Sequence, residues 1–85
     1  MREYRKTGPH LIESGADWIR IRGRAGLDVS YQGRQYDVSS EMLFPPMTIA
    51  LFVSRGDAIP APDADDIVTF VREGLESVGF TVEVQ

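Results

Sequence analysis

Few side chains in this sequence can do chemistry, and their spacing limits which chemistry. His10 is the only histidine in 85 residues and cysteine is absent, so thiol catalysis, thiolate zinc sites and disulfides are excluded. A nucleophilic serine needs a base held within hydrogen-bond reach. Ser39 and Ser40 have only Glu41 beside them, and His10 lies in a weakly patterned stretch. No catalytic group is therefore expected, and the two serines are expected to cap a short helical turn. Asp57, Asp63, Asp65 and Asp66 offer the oxygen ligands that calcium and magnesium take. The turn glycine and distal glutamate of a calcium loop are missing, however, and helix capping accounts for three of the four, so neither metal nor cofactor is expected. Gly23-Arg24-Ala25-Gly26 likewise lacks the Lys-Ser/Thr pair and the following helix of a phosphate-binding loop.

Two surfaces remain that could bind a macromolecule. Arg20 and Arg22 alternate on one strand face, Arg24 and Arg34 fall in neighbouring turns, and Trp18 opens the same strand. Cations beside an exposed aromatic suit stacked single-stranded bases, although a charged strip is also how a one-sided sheet keeps its outer face solvated. The other surface is acidic. Residues 1–40 carry seven Lys/Arg against five acids, and residues 41–85 carry two Arg against eight, so the halves are +2 and −6 and the chain is −4. Glu41, Asp57, Asp63, Asp65, Asp66, Glu73 and Glu76 form the candidate acidic face, with Glu73 and Glu76 at a spacing that lets them share a helix's solvent side. Non-specific nucleic-acid affinity comes mainly from neutralising phosphates, so the acidic balance disfavours a nucleic-acid partner. It favours a protein that presents a basic cleft, because complementary charge raises association rates.

The hydropathy pattern supplies the elements that position these groups. A chain this short allows one domain, residues 1–85, since chains divide only above roughly 200 to 250 residues. Residues 1–15 are the least patterned, with turn signals at Gly8-Pro9 and Ser14-Gly15, and read as a loosely ordered arm or a short edge strand. Alternation from Trp18 to Arg22 predicts a half-buried strand. Leu27, Val29 and Tyr31, followed by Tyr36 and Val38, predict a hairpin. A two-residue loop at Gly33-Arg34 would set Tyr31 opposite Tyr36 and Val29 opposite Val38. Ser39 to Phe44 reads as a helical turn or a strand extension closed by Pro45-Pro46, and Met47 to Val53 as a central strand covered on both faces. After an extended linker, Ala58 to Pro62, Asp63 is the expected N-cap of a helix. Its apolar stripe is Ile67, Val68, Val71, Leu75 and Val78, and Gly79 ends it. Phe80 to Val84 alternates as a last strand. The expected fold is α+β, a mainly antiparallel sheet of four to five short strands with one amphipathic helix packed on one face. Tyr31, Tyr36, Phe52, Phe70 and Phe80 fall on apolar phases as core residues, whereas Trp18 is out of phase with Ile19 and Ile21. No window approaches the roughly 20 apolar residues of a membrane helix, and no signal-peptide run follows the N-terminus, so a soluble cytoplasmic protein is expected.

The run Gly33-Arg34-Gln35-Tyr36-Asp37-Val38-Ser39-Ser40-Glu41-Met42-Leu43 precedes an apolar strand, a proline-containing linker, an acidic-capped helix and Gly79-Phe80-Thr81-Val82-Glu83-Val84. Over residues 17–85 this order resembles the small immunity proteins of bacterial polymorphic toxin systems, in particular the class numbered seventy-four. That family carries an aromatic and acidic stretch with paired prolines before its helix, where this chain has Asp57-Ala58-Ile59-Pro60-Ala61-Pro62 without the tryptophan. The resemblance implies a noncatalytic protein that binds and neutralises a cognate toxin inside the cell that makes it. The physical reading leaves two further options open, a small nucleic-acid-associated module using Trp18, Arg20, Arg22, Arg24 and Arg34, and a homodimer formed through an edge strand or the Phe44 to Met47 segment.

Overall fold

The computed structural model describes residues 3–43, 47–52 and 61–84, with helix side chains from residue 65 onward. Seven strands lie in one sheet in sequence order: β1 (Arg5–Gly8), β2 (Leu11–Ser14), β3 (Asp17–Ile21), β4 (Ala25–Tyr31), β5 (Arg34–Leu43), β6 (Thr48–Leu51) and β7 (Thr81–Val84). Helix α1 (Ala61–Ser77) links β6 to β7, the sheet's parallel pair, while every other neighbour is antiparallel. The α+β class agrees with the sequence reading, and the described residues hold one helix, as expected, but seven strands rather than four or five. The extra two are β1 and β2, in the stretch expected as a loosely ordered arm or a short edge strand. Ile12 is buried opposite Ile19, and the buried Ser14 follows it on the same face, so two inward residues at period two anchor β2 as a strand rather than an arm.

The hairpin β4–β5 also differs from expectation. Tyr31 faces Arg34, Val29 faces Tyr36 and Leu27 faces Val38, so the loop is Gln32-Gly33 and not Gly33-Arg34. Both loop residues have positive φ, 51° and 80°, as a type I′ turn requires. The shift is two residues, and because side chains alternate with period two, the predicted apolar set keeps its face. Asparagine enters the left-handed region more readily than glutamine. Gln32→Asn should therefore raise stability by about 0.5 kcal/mol, seen as a higher melting temperature; a lower one would contradict the turn assignment.

Pairing sorts the sheet's two faces. Ile12, Ile19, Val29 and Tyr36 form one inward row, and Ile49, Leu51, Ile67, Phe70, Val71 and Leu75 complete a core between sheet and helix. Thr48, Ile49, Ala50 and Leu51 are all buried, in keeping with a central strand between β5 and β7. Ser39 to Leu43 extends β5 and caps no helical turn. Ser40 instead accepts the Gly26 amide through Oγ at 3.1 Å, where the β4–β5 register shifts. Phe44 lies outside the described residues.

The helix starts two residues before the expected N-cap. Pro62 falls in its first turn, where a fixed φ is helical and no amide partner is needed, so Asp63 is inside the helix. Its end is as expected. Gly79 takes φ 104°, the Gly79 amide donates to the Glu76 carbonyl at 3.1 Å, and the Phe80 amide donates to the Leu75 carbonyl at 3.0 Å. Those two bonds define a Schellman cap, which Phe80 closes by packing against the core.

Candidate functional site

The sheet face away from the helix carries Arg20 and Arg22, and both are already partnered. Arg20 faces Asp28 across β3–β4, and Asp28 faces Asp37 across β4–β5. Two carboxylates directly opposite each other repel. Arg22 lies between them, with Nε 3.4 Å from Asp28 Oδ1 and Nη2 bonded to Asp37 Oδ1, while Arg20 Nη2 is 2.9 Å from Asp28 Oδ2. These four residues form a charge-balanced ladder. Trp18, half-buried on the same face, lies with its ring centroid 5.6 Å from the Arg20 guanidinium carbon. Replacing Arg22 with glutamine should cost about 0.5–1 kcal/mol at low salt, discounted because all three side chains are partly solvated, and Asp37→Asn should recover most of it. A loss that Asp37→Asn leaves unchanged would mean that Arg22 acts through packing.

The proposed basic strip is therefore split. Arg34 pairs with Tyr31, which puts it on the helix side, where it lines a small cleft with Asp66. Arg24, exposed in the β3–β4 turn, lines a larger open cleft of about 800 Å³ with Arg22, Asp37, Ser39, Glu41 and Phe52. That cleft mixes both signs of charge with an apolar wall. His10 is exposed in the β1–β2 turn, where its main-chain carbonyl accepts the Ile21 amide at 2.9 Å.

The acidic residues are split as well. Asp65, Asp66, Glu73 and Glu76 are exposed on α1, opposite the buried Ile67, Phe70, Val71, Gly74 and Leu75. Arg72 lies among them, and the Glu73 carboxylate accepts the Tyr4 hydroxyl at 3.2 Å. Glu41 is across the sheet: it pairs with Ala50 and points away from the helix side where its neighbour Ser40 meets Leu51. Asp57 lies outside the described residues, and only the backbone of Asp63 is described. The candidate face thus reduces to the solvent side of α1.

Glu73 and Glu76 sit near the helix C-terminus, where no basic residue occupies the last turn. The helix dipole favours cations in that turn, so the Glu76 carboxylate is placed against local stability. Glu76→Gln should raise stability by a few tenths of a kcal/mol in a denaturant titration. A loss instead would show that the Arg72–Glu76 spacing outweighs the dipole.

Sequence reasoning missed the Asp28 and Asp37 partners and the cleft at the β4–β5 register shift. The readable signal for the first was opposite charge on the polar phases of adjacent strands; the second depends on a register irregularity that period-two patterning cannot show. Among the described residues no helix is long and apolar enough to cross a membrane. No family model, no curated protein and no solved structure matches this chain.

Proposed function

We propose that this chain is a noncatalytic, cytoplasmic protein-binding module of the immunity or regulatory kind, which neutralises a basic cognate toxin by laying the solvent side of α1 over the toxin's working cleft. The observation that carries this reading is the charge of α1. The helix has five acids against one arginine, and one of the acids, Glu76, lies in the last turn where the dipole disfavours it. An exposed acidic helix side that keeps a carboxylate against local stability is readily explained by a partner of opposite charge, since complementarity steers encounter and rejects wrong partners. The resemblance to immunity proteins of class seventy-four supplies the toxin as that partner. The nucleic-acid alternative draws on Trp18, Arg20 and Arg24, but Arg20 and Arg22 are engaged by Asp28 and Asp37, and Arg34 lies on the other face.

The experiment is affinity capture from native lysate with tagged wild type and an Asp65→Asn/Asp66→Asn/Glu73→Gln/Glu76→Gln variant of matched thermal stability, at low and high salt. A basic protein held by the wild type, released by salt and captured at least tenfold less by the variant is the expected result. Equal capture by both would overturn the α1 interface. Recovery of salt-sensitive nucleic acid, lost on Arg20→Gln/Arg24→Gln, would move the function to the sheet face.

A further inference from the structure

The sheet has two edges and they are built differently. β1 carries Arg5 and Lys6, shifts register between Lys6 and Gly8, and is followed by Pro9, all features that blunt an edge against further pairing. β7 has no register shift and no adjacent proline, and its one charge is Glu83. Its four residues pair with β6 in unbroken register, three of the four are exposed, and Val84 at 46% and Met47 at 45% are the exposed large hydrophobic residues among those described.

The hydrogen-bonding groups of β7 have a defined direction. The Thr81 amide donates to the Met47 carbonyl at 2.7 Å, so Thr81 and, by alternation, Glu83 turn their peptide groups toward β6. Val82 and Val84 turn theirs outward, where an antiparallel strand can receive them. Any residue of β7 on the two-fold axis keeps the faces aligned, and the two registers that overlap most of the strand centre on Glu83 or on Val82. With Glu83 on the two-fold axis, two carboxylates stand opposite each other, which is destabilising. With Val82 on the axis, each Glu83 stands opposite a Thr81, and each Val84 lies beside the other copy's Phe80. Only the second register gives every residue of the strand a compatible partner, and it covers Val84.

We infer that two copies of this chain associate through antiparallel β7–β7 pairing with Val82 on the two-fold axis, joining their sheets into one. The interaction is isologous, so the same strand supplies both halves. It leaves the exposed side of α1 free and does not depend on the partner proposed above. Short strands bury little area, so the dimer is a reversible, concentration-dependent one.

Sedimentation equilibrium over a wide concentration range, at low and high salt, tests it with three variants. Val84→Pro removes an outward amide without touching the β6 ladder, and Val84→Lys charges the edge while keeping that amide. Both should weaken dimerisation at least tenfold while the monomer's circular dichroism stays unchanged. Thr81→Lys places an ammonium opposite each Glu83 of the other copy and should tighten the dimer several-fold at low salt, with the gain lost at high salt. Amide exchange at Val82 and Val84 in the wild type should slow as concentration rises. A monomer at every concentration, or a dimer indifferent to both Val84 variants, would overturn the inference. A dimer that Val84→Lys weakens but Thr81→Lys does not tighten would overturn the register.

Discussion

Phe70→Ala should lower stability by about 3–5 kcal/mol, the largest single effect expected in this domain. Phe70 is 3% exposed on the inner side of α1, with Tyr31 on the sheet at 4.9 Å between ring centroids and Tyr4 at 5.8 Å. Truncation removes the ring's burial, leaves a cavity between helix and sheet, and ends both aromatic contacts. An 85-residue domain has on the order of 4–13 kcal/mol in total, so the loss is a large fraction of it. The melting temperature should fall by roughly 12 °C or more, whereas Phe70→Leu, which keeps most of the volume, should fall much less. Tyr4 gives a second readout. Its ring packs on Phe70 and its hydroxyl reaches Glu73, so β1 is tied to the helix through this residue, and Phe70→Ala should speed amide exchange in β1 before the core opens. A melting temperature within about 2 °C of wild type would mean that α1 is not seated on the sheet through Phe70.

Much of this arrangement was legible because it rests on short-range physics. The helix phase followed from Ile67, Val71 and Leu75 at helical spacing, and its end from a glycine that alone tolerates φ near 104°. The faces of β3, β4 and β5 followed from alternation, so Ile19, Val29, Tyr36 and Val38 were placed inside correctly even though the turn was assigned one residue late and the pairing shifted by two. Strand number and charge pairing were not legible. β1 offers only Arg5, Lys6, Thr7 and Gly8, which have no inward hydrophobic pattern, and the strand exists because β2 provides an edge to pair with. Arg20 and Arg22 looked like a free basic strip because their neutralising partners, Asp28 and Asp37, are brought alongside only by strand register. The acidic set divided for a related reason: composition gathers charges along the chain, whereas the pleat and the helix decide which face each one occupies. Glu41 and Glu73 belong to the same acidic half of the sequence and to opposite sides of the molecule.

A close approach of helix to sheet at Gly74 gives the second large effect and the sharpest test of packing. Gly74 is buried on the inner side of α1, and a β-carbon there would stand 2.6 Å from Ile19 Cδ1 and 3.1 Å from the Tyr4 ring. Glycine inside a helix costs about 1 kcal/mol relative to alanine, so Gly74→Ala gains that much in helix propensity. The overlap with Ile19 works against it. Ile19 is fully buried against β4 and the core, so its end methyl has little room to swing, and overpacking of this kind costs about 1–3 kcal/mol. The steric term wins, and Gly74→Ala should destabilise by about 1 kcal/mol. Ile19→Val deletes the offending Cδ1 and alone should cost about 0.5–1.5 kcal/mol by leaving a small cavity. Combined, the two changes compensate: the alanine methyl occupies the space that Cδ1 vacates. The double variant should lie near wild type, giving a favourable coupling of at least about 1 kcal/mol in the mutant cycle. Strict additivity would mean that the two side chains are not in contact, and α1 would then have to cross β3 at a greater distance. A stabilised Gly74→Ala with no coupling would lead to the same conclusion, because only the close crossing at Ile19 gives a reason for glycine to stand in the middle of this helix.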